Sequence, residues 1–219
     1  MYYRQGLIDK LDRKFGRYAV KNLMMILVGA MAIVYVMDMM FMSSMGVSLW
    51  SRLSFNRAAI MNGEVWRIVT FLFLPPSSSG ILWTIISLYF YWFVGSALEE
   101  KWGAFGFNAY YLLGAIGAIA SGFITGFATN TYLNLTLFIA FALLYPCYEL
   151  RLFFFIPLEA RWIAVLDIVL LVWMFINNAW AGRIALIIAV INLLIFFTPH
   201  LIDHIKSIYR RIKWKRKFK

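Results

Sequence analysis

Six apolar stretches decide most of what this chain can fold into: residues 22–46, 80–98, 104–127, 132–146, 162–178 and 183–200. About twenty apolar residues in a helix cover the hydrocarbon core of a bilayer. The fourth stretch is short for that, as a span can be where its neighbours shelter it or the bilayer is thin. Composition agrees with an integral membrane protein: 63% of the 219 residues are hydrophobic and 14% charged, with a mean hydropathy of +0.76. A soluble domain is nearer half apolar and a quarter charged. The expected fold class is all-α, with six transmembrane helices.

The net charge of +11 sits mostly in two flanks, Met1–Lys21 and Lys206–Lys219. Flanking cations mark the cytoplasmic side and draw anionic lipid headgroups, so they argue against nucleic acid as the partner. With the N-terminus inside, 17 of the 21 Lys and Arg fall on the inner side, and Arg52, Arg57, Arg67 and Arg183 on the outer. Both termini are therefore expected in the cytoplasm, at the cell membrane if the source is prokaryotic. Residues 1–21 read as an amphipathic, surface-lying lead, with Leu7, Leu11, Phe15 and Tyr18 at helical spacing, and not as a cleavable signal. Residues 22–200 form the six-span domain and residues 201–219 a basic tail.

Two segments break the simple pattern. Val47–Ser79 is long yet apolar, with aromatics and arginines interleaved, as expected of an element lying in the interface. In the third stretch Gly114, Ala118, Gly122 and Gly126 fall four apart. Small residues on one face let helices approach closely in lipid. The single cysteine, Cys147, excludes an internal disulfide and a multi-cysteine metal site. Only His200 and His204 are present, which limits acid–base chemistry near neutral pH. No cofactor and no metal are expected.

Several segments in order resemble the rhomboid superfamily of six-helix intramembrane serine proteases. "GEVWRIVTFLFLP" (Gly63–Pro75) resembles the Trp-Arg segment of the rhomboid first loop. "YFYWFVGSALEEKWGAFGF" (Tyr89–Phe107) resembles the end of the second helix, with Gly95, Glu99, Trp102 and Gly103 in place. "AFALLYP" followed by "LFFFIPLEARW" (Ala140–Trp162) resembles the end of the fourth helix and the start of the fifth. The resemblance covers about residues 46–197 and implies the rhomboid fold.

The catalytic groups of that family do not carry over. Counting back from Pro146 sets Thr131 where the serine of the GxSG motif would stand and Tyr132 in place of its final glycine. Counting back from Gly95 sets Trp83 and Ser87 where the oxyanion-holding His and Asn would be. Arg183 lies about where the histidine base of the sixth helix would stand. A threonine acts as a nucleophile only if a base activates it. His200 is at the far end of a span of about eighteen residues, roughly 27 Å away. An arginine stays protonated and cannot replace a lysine base.

The resemblance is thus to the non-catalytic members, the pseudoproteases that include the derlins. It implies a protein that binds transmembrane segments of client proteins in quality control or regulation. The alternatives are an active protease with a non-standard nucleophile and a lipid-handling or structural membrane protein. Trp66 and Arg67 are expected to hold the loop in the interface, with Arg67 pairing either Glu64 or the end of the second helix. Glu99, with Trp102 and Gly103, is expected to hold the fold through a specific partner, since an acid at a helix C-terminus opposes the macrodipole. Asn134, Thr136 and Asn192 are expected to hydrogen-bond between helices. Asp38 and Asp167 are carboxylates within spans. Asp38 is near enough to an end to reach water, and Asp167 is the deeper one.

Overall fold

The computed structural model describes residues 8–76, 80–146, 148–152 and 156–197. The basic tail, both histidines and Cys147 lie outside them. An amphipathic helix, α1 (Ile8–Phe15), leads into a 3-10 turn at Gly16–Tyr18 and then α2 (Leu23–Met45). Three short helices follow, α3 (Leu49–Leu53), α4 (Arg57–Met61) and α5 (Arg67–Thr70), with a 3-10 turn at Phe71–Phe73. The 45-residue α6 (Ile81–Thr125) and the 14-residue α7 (Thr131–Leu144) come next. A two-stranded antiparallel hairpin, β1 (Glu149–Leu152) and β2 (Ile156–Glu159), pairs Glu149 with Glu159 and Leu152 with Ile156. It leads into α8 (Ala160–Asn177) and α9 (Trp180–Phe197).

Among the described residues the regular structure is therefore helical apart from one short hairpin, which the apolar run at 152–158 does not announce. Helices suit lipid because every backbone donor and acceptor is satisfied within the segment. Four of them, α2, α6, α8 and α9, are long and apolar enough to cross a membrane, and α7 is a shorter apolar helix.

Left straight, α6 would be about 67 Å long, more than twice the hydrocarbon thickness. Gly103 prevents this. Its φ of 77° and ψ of 160° interrupt the helical backbone, in a region glycine enters without penalty. The chain turns back on itself there. Tyr91 before the break and Tyr111 after it are close enough to interact, and Val94, Leu98, Phe107 and Tyr110 share one core. Trp102 stacks against Tyr110, Phe196 and Phe197, which fixes the break against the end of α9.

The same end holds the entry to α2. Glu99 accepts a hydrogen bond from the backbone N–H of Asn22 at 2.6 Å. Asn108 exchanges bonds with the Val20 N–H and C=O at 3.1 and 2.8 Å. The partner of Glu99 is thus a distant backbone donor that positions the first long helix. Met24 is packed so tightly on Gly95 that a side chain there would collide with it.

The main core gathers residues of α2, α6, α7, α8 and α9. A second, smaller core lies under residues 50–76, where Phe55, Ile60, Phe71 and Leu72 pack on Ala115 and Ala128. Phe55 sets its ring edge-on to Phe71 and Phe123, at 5.7 and 5.6 Å. Gly122 leaves the room that Phe55 occupies, and Gly114 leaves room for Leu133 and Asn192. Two members of the small-residue stripe are therefore packing positions. Gly126 has another use, ending α6 in a left-handed conformation.

Candidate functional site

Residues 50–76, the start of α7 and the turn after α8 meet at the end of the bundle opposite Gly103. They enclose an open cavity of about 400 Å³, lined by Trp50, Phe71, Pro75, Thr129, Thr131, Tyr132 and Asn178 among others.

The loop that contributes to this cavity is held by polar staples. Asp38 Oδ1 accepts from the Ser48 hydroxyl at 2.8 Å and from the backbone N–H groups of Leu49 and Trp50 at 2.6 and 3.3 Å. It caps the short α3, a role in which an acid at a helix start is favourable. Arg67 is buried. Its Nε meets Glu64 at 2.5 Å, and its Nη1 donates to the carbonyls of Ser51 and Ser54 at 2.7 and 2.9 Å. One guanidinium thus joins three turns of the loop. Trp66, its neighbour, points outward and is half exposed. Thr70 adds a bond to the Leu53 carbonyl.

Asn130 connects this loop to α7. It is buried and donates to the carbonyls of Leu72 and Leu74 at 3.0 and 2.9 Å. The sequence alone assigns Asn130 no role. The signal available was an Asn just before a helix, which suggests a cap. The structure uses its amide between elements instead.

Thr131 and Tyr132 both line the cavity. The Thr131 hydroxyl is exposed and its partner is the Thr129 hydroxyl at 2.8 Å. No acid or base is among its hydrogen-bond partners. Tyr132 is buried and its hydroxyl accepts from Asn178 Nδ2 at 2.6 Å. The ring and that bond occupy the space beside Thr131 and tie α7 to the turn after α8. Trp83, Ser87 and Arg183 are not among the lining residues. Trp83 faces outward on α6. Arg183 donates to the Ile176 carbonyl at 3.0 Å and lies over the rings of Phe175 and Trp180. It closes the α8–α9 turn.

No family model and no curated protein matches the chain. The site is therefore argued from its own geometry. It offers hydroxyls, amides and aromatic walls, and among the described residues no histidine and no cluster of three metal-ligating side chains. Such a surface can hold a partner by shape and hydrogen bonds.

The remaining polar groups lie deeper. Thr136 is fully buried and receives the Tyr110 hydroxyl at 2.8 Å, which links α6 to α7. Asn192 donates to the Tyr110 carbonyl at 3.2 Å, which links α9 to α6. Both helices are thus joined through the second half of α6, rather than by a direct Asn134–Asn192 bond. Asn134 and Asp167 are buried as well, each with an oxygen that has no hydrogen-bond partner.

Proposed function

We propose that the chain is a rhomboid-like membrane protein that binds transmembrane segments of client proteins and does not cleave them, in membrane-protein quality control or regulation. In this reading the two parts of α6 on either side of Gly103 are separate spans. With α2, α7, α8 and α9 they make six, and both termini face the cytoplasm. Clients approach between the first part of α6 and α8. The basic flanks hold anionic headgroups.

The observation that carries the reading is the bonding of the Thr131 hydroxyl. Hydrolysis by a threonine needs a base within hydrogen-bond reach, and the Thr131 hydroxyl is bonded to another neutral hydroxyl. Tyr132, held by Asn178, stands where the resemblance would put a glycine. Access is supported by α8, where only Ala160, Asp167 and Leu171 are buried. A helix held along so narrow a stripe leaves most of its surface to a partner.

The test is incubation of the purified protein, in lipid nanodiscs, with a helix-destabilised transmembrane substrate. No cleavage is expected, and crosslinking to the substrate is expected to persist in Thr131→Ala. Cleavage that disappears in Thr131→Ala would establish a protease and overturn the proposal. Altered lipid order without any crosslinked client would favour a lipid-handling protein.

A further inference from the structure

The stripe by which α8 docks has a carboxylate at its centre. Asp167 is 7% exposed, and its Oδ2 is enclosed with no hydrogen-bond partner. It is the eighth residue of an eighteen-residue helix. That sets it about 10 Å from one end and about 15 Å from the other. On α7, Asn134 is 2% exposed and its Oδ1 is equally enclosed and unpartnered. On the second half of α6 the Tyr111 hydroxyl is in the same condition. Tyr91, on the first half of α6, joins them: it meets the Asn134 side chain and lies within electrostatic range of Asp167 and Tyr111.

Tyr91 thus relates three elements, each of which carries one enclosed polar atom without a hydrogen-bond partner. In a bilayer each such atom costs several kcal/mol. The chemistry of the missing group follows from the donor inventory. A carboxylate oxygen and an amide oxygen only accept, and a tyrosine hydroxyl does both, so the occupant is a donor. A cationic donor fits best, because a buried carboxylate is stabilised chiefly by an opposite charge with hydrogen bonds. The described chain does not supply one. Its two ion pairs, Arg67–Glu64 and Arg161–Glu159, involve other carboxylates.

We propose that the Asp167–Asn134–Tyr111 cluster receives a lysine or arginine side chain from the middle of a client's transmembrane segment. This rests on the client-binding reading above and names the clients it selects. The complementarity runs both ways. A basic residue at the centre of a membrane helix is itself costly in lipid, so pairing relieves both partners at the same depth. α8 is the thin wall between the cluster and the bilayer. Its other face, including Val165, Leu166, Ile168, Val169 and Val172, is exposed and apolar as a lipid-facing surface would be.

The experiment uses the full chain in phosphatidylcholine nanodiscs, which carry no net anionic charge. Fluorescently labelled leucine-rich transmembrane peptides of equal length bear Leu, Lys or Glu at the central position, and energy transfer to labelled protein reads binding. The Lys peptide is expected to bind roughly tenfold or more tightly than the Leu peptide, a difference of about 1.4 kcal/mol. In Asp167→Asn, which keeps the shape of the side chain, that preference is expected to vanish while the Leu peptide binds as before. Unchanged binding of the Leu peptide shows that the variant is folded. Equal binding of Lys and Leu peptides by the unsubstituted protein would overturn this inference, assign the cluster to bound water, and leave client binding standing. A Lys preference that survives Asp167→Asn would also overturn it. Failure of every peptide to bind would overturn both readings.

Discussion

Residues 46–76 are a succession of short turns, whereas α8 is eighteen residues of regular helix, yet the loop is the better tied of the two. Arg67, Asp38, Thr70 and Asn130 each bridge separate backbone segments there, and Phe55 and Phe71 give the loop a core of its own. Among the described residues, α8 is tied by polar bonds only at its ends, where Ala160 and Arg161 donate to the Tyr148 and Pro146 carbonyls and Ile176 accepts from Arg183, and by a narrow apolar stripe between them. The one polar group in its docking stripe, Asp167, has an unpaired oxygen. The difference teaches that regularity and attachment are independent in lipid. A helix satisfies its own backbone and needs no neighbours to persist. A loop at the membrane surface must find partners for every exposed carbonyl, and finding them locks it down.

The comparison breaks first at Arg67. Arg67→Ala is expected to destabilise the protein by about 3–5 kcal/mol, because it leaves Glu64 and two carbonyls without their partner. Thermal unfolding in detergent micelles measures it, and a neutral result would mean that the loop is not held as described. Asp167→Leu should move the same measurement the other way. Replacing an unpaired buried carboxylate by an apolar side chain is expected to stabilise by about 1–3 kcal/mol, while removing any preference for basic clients. A destabilised Asp167→Leu would show that the carboxylate has a structural partner. The smallest effect is expected at Trp66, beside Arg67 in sequence but outside the network. Trp66→Ala should change unfolding by less than about 0.5 kcal/mol. A loss comparable to that of Arg67→Ala would place Trp66 inside the loop core.

The helices were largely legible. The apolar stretches at 22–46, 132–146 and 162–178 match α2, α7 and α8 within two residues, since burial in lipid selects composition directly. The second stretch was drawn four residues short. Its charged end reads as a helix terminus at Glu99 and Glu100, but Glu99 has a donor in Asn22 and the helix continues to Trp102. The hairpin at 149–159 was not legible, because four-residue strands beside an apolar run leave no distinctive period. The site divided in the same way. The shortage of histidine is visible in the letters, and so are Thr131 and Tyr132 at the positions where the proposed resemblance would put a serine and a glycine. That Tyr132 is held by Asn178, forty-six residues away, and that Asn130 grips the loop are contacts between elements, which no local pattern encodes.

By itself the sequence determined the apolar medium and the helical class, because transfer free energy belongs to individual residues. Only the tertiary structure decided which polar groups are paired. It turned Arg67 and Asp38 into staples, and it left Asp167, Asn134 and Tyr111 each with an unpartnered atom. Hydrogen bonding is a property of pairs at a fixed distance and angle, and the fold alone sets those.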